Sequence, residues 1–155
     1  MPGLPLAIAR PDAQVVLIEA TGKKARFLQE TVKTLGLANV RVLAQRAEDA
    51  GHGKHRQSFD VAVARAVAEL AMLAEWCLPL LKKNGKMLAM KGPKAITELP
   101  AARRAISLLG GGQPIVHAVK LPHVQNHLIV EIPKLTATQA RYPRPASVAK
   151  GRPLG

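Results

Sequence analysis

The chain has 155 residues, room for one domain with a core and too few for two. Apolar residues make up 48% and charged ones 21%, which excludes a disordered chain. Only Phe27, Phe59, Trp76 and Tyr142 are aromatic, which argues against a sheet or barrel that stacks RNA bases on aromatic platforms, while a net charge of +13 calls for an anionic partner.

Periodicity alternates between strand and helix. Gln14–Glu19 is a continuous apolar run closed by an acid, the pattern of a strand buried on both faces. Gly22–Leu35 reads as an amphipathic helix with Phe27, Leu28, Thr31, Val32 and Leu35 on one side and Gly36 as its stop. Val40–Ala44 is a second strand, followed by a polar loop through His52, Lys54 and His55, and Phe59–Ala64 is a third. The spacing then predicts a helix over Val67–Leu81, ended or kinked at Pro79, and a turn at Asn84–Gly85 into a strand over Lys86–Lys91. A helix over Lys94–Leu109 stops at Gly110–Gly112, and Ile115–Lys120 with His127–Ile132 forms a terminal strand pair. The segment from Pro133 onward is expected to be extended, and no internal repeat is found. This alternation predicts a parallel α/β sheet with helices on both faces, whose ligands bind beyond the carboxyl ends of the strands.

The charge is one-sided. Residues 1–75 carry 10 basic and 8 acidic side chains, a net of +2, whereas residues 76–155 carry 13 basic and 2 acidic, Glu98 and Glu131, a net of +11. Such a field attracts a polyphosphate backbone without reading its sequence. A membrane surface suits it less well, because the basic residues do not lie opposite a large apolar helical face. The most apolar stretch, residues 61–81, is interrupted by Arg65, Glu69 and Glu75, which excludes an ordinary membrane span. The opening MPGLPLAIARPD lacks the basic region of a signal peptide, and Cys77 is the sole cysteine. The expectation is a soluble, cytoplasmic monomer.

The residues just after each predicted strand are the first candidates for chemistry. Glu19 closes the first strand, where a carboxylate accepts hydrogen bonds from both hydroxyls of a ribose or simply caps the next helix. Arg46-Ala47-Glu48-Asp49 follows the second strand and suits an adenine bracketed by backbone amides. Arg65 follows a strand expected to be buried, so it needs a partner: Glu69 one turn later, or a ligand or RNA. His52 and His55 lack the further ligands of a metal site and read as loop residues, so no metal is expected. Cys77, on the apolar side of a helix, reads as a small hydrophobe rather than a nucleophile.

The series PGLPLAIARP, VVLIEATGKKARFL, RAED, FDVAVARAVAEL, KMLAMKG and RYPRPASVAKGRPL, in order and at matching spacings over essentially the whole chain, resembles the glucose-inhibited division protein B family. The resemblance implies a Rossmann-like class I S-adenosylmethionine-dependent methyltransferase sheet and transfer to N7 of a guanine in 16S ribosomal RNA. It implies that Met1, Glu19, Ala20, Thr21, Ala47, Glu48 and Arg65 border the cofactor. It further implies that Lys24, Lys91, Arg141 and Arg144 face RNA or the mouth of the pocket, with 16S RNA or the small ribosomal subunit as partner. Residues 1–132 would form the methyltransferase domain, and residues 133–155 a basic, proline-containing tail packed on or near it.

The chain departs from the family pattern at its start, where Met1-Pro2-Gly3 matches only the end of a glycine-rich cofactor loop. The strand before that loop normally lies centrally, between the Val15–Glu19 and Phe59–Ala64 strands. The expectation is therefore a sheet without its first, central strand, in a truncated or mis-started chain. A non-catalytic basic RNA-binding fragment of such an enzyme is the alternative function. A nicotinamide-dependent dehydrogenase shares the acid after the strand but explains neither the basic tail nor RAED.

Guanine N7 carries an in-plane lone pair in the neutral base, so no general base is expected and every site residue has a binding or positioning role. Ala64-Arg65-Ala66-Val67 stands where exocyclic-amine methylases place an Asn- or Asp-Pro-Pro-aromatic motif, and no Pro-Cys or Thr-Cys pair supplies a nucleophile.

Overall fold

The computed structural model describes residues 2–65, 68–120, 122 and 126–154, with the side chain of Lys150 excepted. The chain divides into two compact units, Met1–Asp49 and Ala50–Gly155.

In the first unit, α1 (Gly3–Ala9) precedes β1 (Val15–Ile18), α2 (Gly22–Thr34) and β2 (Val40–Leu43). Helix α1 was not expected from the short apolar run that encodes it. Pro5 is tolerated because it lies in the first turn, where a backbone N–H has no intrahelical partner to lose. β1 and β2 pair in parallel, Val15 opposite Val40 through Ile18 opposite Leu43. Asn39 ties this unit together: its side-chain amide donates to the carbonyls of Ala7 at 3.0 Å, Ala13 at 3.0 Å and Arg10 at 3.3 Å.

Helix α2 ends as its sequence predicts. Gly36 takes φ +63°, its N–H donates to Lys33 O, and that of Leu37 donates to Val32 O, the paired bonds of a Schellman stop. The expected apolar side is only partly buried. Ala25 and Leu28 are interior, whereas Phe27 is 66% exposed and Leu35 half exposed. Helical geometry explains the split, since Phe27, Thr31 and Leu35 recur every four residues along a flank beside the Ala25–Leu28–Val32 stripe.

In the second unit, β3 (Phe59–Arg65), α4 (Leu70–Cys77), β4 (Leu81–Lys91), α5 (Ala95–Leu108), β5 (Ile115–Ala118), β6 (Leu128–Pro133) and α6 (Ala146–Gly151) follow one another. The short helix α3 (Ala47–His52) begins in the first unit and replaces the first part of the expected polar loop. Sheet order is β3-β4-β6-β5, with β3 and β4 parallel and β6 antiparallel to both β4 and β5. The expected terminal strand pair is present as β5 and β6, and β6 lies between β4 and β5. Among the described residues β1 and β3 each keep one edge without a paired strand.

Other boundaries differ for local reasons. The predicted helix over 67–81 is α4 followed by a 3-10 turn at Leu78–Leu80; Pro79 ends it, and Val67 lies outside the described residues. Asn84–Gly85 is an irregularity inside β4 rather than a turn before it. Phe59 pairs with Leu81 but Val61 with Lys86, and Asn84 takes φ +68°.

One face of this sheet is the core. Met87 and Ala89 of β4 lie opposite Ile132 and Val130 of β6, and all four are fully buried. Leu70, Leu73, Leu78, Leu81, Ile106 and Leu109 pack with them in one cluster, each large side chain contributing about 1.5–3 kcal/mol of burial. Ala95, Ala102 and Ala105 on α5 are also fully buried in this cluster, their small side chains leaving room for its larger neighbours.

The segment after Pro133 is pinned rather than simply extended. Lys134 is fully buried, its ammonium donating to Leu109 O at 2.6 Å and to the Thr138 hydroxyl, which itself donates to Leu109 O at 2.6 Å. Arg56 donates to four carbonyls: Gly51 at 2.9 Å, Tyr142 at 2.7 Å, Thr138 at 2.6 Å and Gln139 at 3.1 Å. Arg144 grips the buried Glu75 of α4 with Nε at 2.8 Å, Nη2 at 2.7 Å and its backbone N–H at 2.8 Å.

Burial, with the Arg56 guanidinium adding repulsion, pushes the Lys134 ammonium down from 10.5 to about 8. Below pH 8 the lysine is charged in both folded and unfolded states, and burying that charge costs about 3 kcal/mol. Between pH 8 and 10.5 the unfolded chain holds the proton that the folded chain has lost, so stability rises with pH. Urea midpoints at pH 7.5 and 10 should show this gain in the native chain, and Lys134→Met should remove it.

Candidate functional site

The first unit brings two of the expected cofactor segments to the same end of its parallel ladder. Glu19 directly follows β1, its backbone N–H donating to Leu43 O of β2 at 3.1 Å. Its Oε1 accepts the Thr21 N–H at 2.8 Å. That bond stiffens the turn into α2, whose N-cap is Thr21, and leaves Oε2 without a protein partner among the described residues. Ala20 and Thr21 are exposed beside it.

Beyond β2, Ala47 and Glu48 open α3. Glu48 is only 7% exposed and has no hydrogen-bond partner among the described residues. Met1, the remaining expected contact of this unit, lies outside the described residues.

In the second unit Arg65 is the last residue of β3, at its carboxyl end. The expectation of a buried strand end needing a partner is not met. Arg65 is exposed, and no ion pair joins it to Glu69. Glu69 instead takes the N-cap position of α4 without a side-chain capping bond.

The four basic residues expected at an RNA surface fall into two classes. Lys24 on α2 and Arg141 are exposed; the Arg141 guanidinium lies 5.1 Å from the centre of the Tyr142 ring. Lys91 and Arg144 are already engaged. The Lys91 ammonium, on a side chain 9% exposed, pairs with Glu98 at 2.7 Å and donates to Ala68 O at 2.9 Å. The Arg144 guanidinium is held by Glu75 and also donates to Arg152 O at 2.9 Å. Pairing with Glu75 raises its already high pKa.

Sequence reasoning passed over Glu75, Glu98 and Arg56. Glu98 is one of only two acids in residues 76–155, and that scarcity is a usable signal; Glu75, among the eight acids of residues 1–75, gave none. Arg56 gave none, since a loop arginine looks like any solvated charge.

His52 and His55 are engaged within the protein. His52 Nε2 donates to Pro143 O at 2.6 Å, and His55 stacks on Phe59 with ring centres 5.9 Å apart. Among the described residues no three His, Cys, Asp or Glu side chains are grouped to bind an ion, and no helix is long and apolar enough to cross a membrane. Burial pushes the Cys77 thiol up to about 12, which removes it as a nucleophile.

Comparison with solved structures places the fold. A predicted O-methyltransferase of Agrobacterium tumefaciens superposes with a TM-score of 0.67 at 16% identity, covering 87% of this chain and 70% of the other. A 16S rRNA (adenine(1408)-N(1))-methyltransferase of Catenulisporales acidiphilia gives 0.67 at 14% identity, covering 89% and 81%. The fold is that of class I S-adenosylmethionine-dependent methyltransferases.

Sequence relatives are closer. The ribosomal RNA small subunit methyltransferase G of Roseiflexus sp. is 47% identical over 154 residues, 99% of this chain and 66% of the relative. That of Pelotomaculum thermopropionicum is 46% identical over 155 residues, 99% and 65%. The chain thus spans just under two thirds of the length of these relatives. The family model described as rRNA small subunit methyltransferase G matches residues 1–129, and the chain belongs to that family.

Proposed function

We propose that this chain carries the cofactor and substrate residues of an S-adenosylmethionine-dependent methyltransferase that modifies N7 of a guanine in small-subunit ribosomal RNA. The observation that carries the reading is Glu19, at the carboxyl end of a parallel strand with one oxygen fixed by Thr21 and the other open. This donor set suits a nucleoside. Glu19 Oε2 accepts from ribose hydroxyls, and the unpartnered Glu48 carboxylate accepts from an amino group such as adenine's. Ala20, Thr21 and Ala47 shape the same strand ends, and Met1 belongs to the expected contacts.

When bound, the cofactor supplies an electrophilic sulfonium methyl. The guanine N7 lone pair needs no deprotonation, so the chain's residues orient and desolvate rather than exchange protons. Arg65, exposed at the end of β3, is available to orient the reacting groups. Lys24 and Arg141 are free to contact phosphates, whereas the engaged Lys91 and Arg144 are not. The target base enters from an unpaired or extruded state. The reading includes a cytoplasmic monomer with residues 1–132 as the transfer body. Residues 133–155 form a basic extension fastened by Arg56, Lys134 and Arg144.

Calorimetric titration with S-adenosylmethionine tests the reading. Glu19→Gln should weaken binding about 10- to 100-fold, as loss of a charged acceptor does, while the melting temperature stays within a few degrees. Equal affinity in the two proteins would remove Glu19 from the site.

A further inference from the structure

An ion pair ties the carboxyl end of β4 to α5 and to the chain that enters α4, a set of contacts that the expected RNA role of Lys91 does not explain. Lys91 ends β4, and its ammonium reaches Glu98 Oε2, in the first turn of α5, at 2.7 Å. The same ammonium donates to Ala68 O at 2.9 Å. The same Glu98 oxygen accepts the backbone N–H of Leu70, the first residue of α4, at 2.7 Å.

Glu98 therefore does for α4 what an N-cap side chain normally does, and what Glu69 at that position does not. A carboxylate there also complements the positive end of the helix, and Lys91 holds it in place. Together the two side chains hold Ala68 by its carbonyl and Leu70 by its amide, three and five residues beyond Arg65. Both sit in low exposure, at 9% for Lys91 and 21% for Glu98, so the pair is largely shielded from screening.

We propose that Lys91 and Glu98 act as one positioning unit that fixes the chain entering α4, and through it the exit of β3 bearing Arg65, for methyl transfer. Lys91 serves the reaction from beneath rather than by touching RNA phosphate. This inference rests on the methyltransferase reading given above.

The test uses the full chain and the variants Lys91→Met, Lys91→Arg, Glu98→Gln and the Lys91→Met/Glu98→Gln double variant. Hydrogen exchange at the Leu70 amide should quicken at least tenfold in Lys91→Met and Glu98→Gln, and stay near native in Lys91→Arg. Single-turnover transfer to small-subunit RNA should slow at least tenfold in both single variants and no further in the double one, with RNA affinity and its salt slope within twofold of native. Lys91→Arg should restore most of the rate.

The proposal is overturned if Lys91→Met weakens RNA binding fivefold or more and flattens the salt slope by about one phosphate contact. It is equally overturned if Leu70 exchange ignores Lys91. A native chain that transfers no methyl group contradicts the functional reading instead, and the exchange experiment still decides whether Lys91 and Glu98 work as a unit.

Discussion

Arg144→Ala should destabilise the chain by about 3–5 kcal/mol, the largest loss expected of any single basic side chain. The carboxylate it leaves behind, Glu75, is 1% exposed on α4 and, among the described residues, receives its three hydrogen bonds from this one residue. Truncation removes the two guanidinium bonds and keeps only the backbone N–H, so a nearly unpaired charge stays buried. Glu75→Gln should cost less, because Arg144 is 20% exposed and can turn to water. The same truncation releases Arg152 O at the end of α6. Chemical denaturation measures the loss. Parallel RNA-binding curves should show an unchanged salt slope for folded Arg144→Ala, since this guanidinium contacts protein rather than phosphate.

Arg56→Met should be nearly as damaging, at about 3 kcal/mol or more, with its effect concentrated in residues 138–143. Four carbonyls accept from this guanidinium, and bonds to a charged donor are worth about 1.5–3 kcal/mol each without being additive. Methionine keeps the length and removes every donor. Lysine offers a point charge that cannot span the same fork, so Arg56→Lys should recover only part of the loss. Removing Arg56 also relieves repulsion on Lys134, whose ammonium should then titrate closer to its ordinary value. Urea denaturation of the two variants, with amide exchange over 138–143, measures both parts of this expectation.

These two arginines show where residue patterns carry information and where they do not. Strand β1, helix α2 with its Gly36 stop, and helix α5 with its Gly110 stop were legible because period and punctuation are local. The position of β6 between β4 and β5 was not, because a strand's neighbours are settled by packing at long range. The same limit governs the site. Glu19, Ala47 and Glu48 could be read from their place after strands, since α/β folds gather ligands there. The resemblance puts Arg144 and Lys91 at RNA or the pocket mouth, and nothing in the sequence reveals that they pair with Glu75 and Glu98 across the fold. In a half-chain with two acids beyond residue 75, each acid was worth asking which base it had claimed.

Of the residues first expected at RNA, Lys24 and Arg141 remain exposed, while Lys134 and Arg144 serve to fasten the final segment. A net charge of +13 thus overstates the charge available to phosphate.

The central claim is that this chain serves methyl transfer to guanine N7 of small-subunit RNA. Its most direct test is incubation of the full chain with S-adenosylmethionine and small subunits lacking base methylation. Borohydride and aniline treatment, which cleaves RNA at N7-methylguanine, then reads the product. The account predicts one new cleavage in the 16S RNA that depends on both protein and cofactor and is sharply reduced by Glu19→Gln. Methylation at a different base atom, or cleavage undiminished by Glu19→Gln, would contradict it.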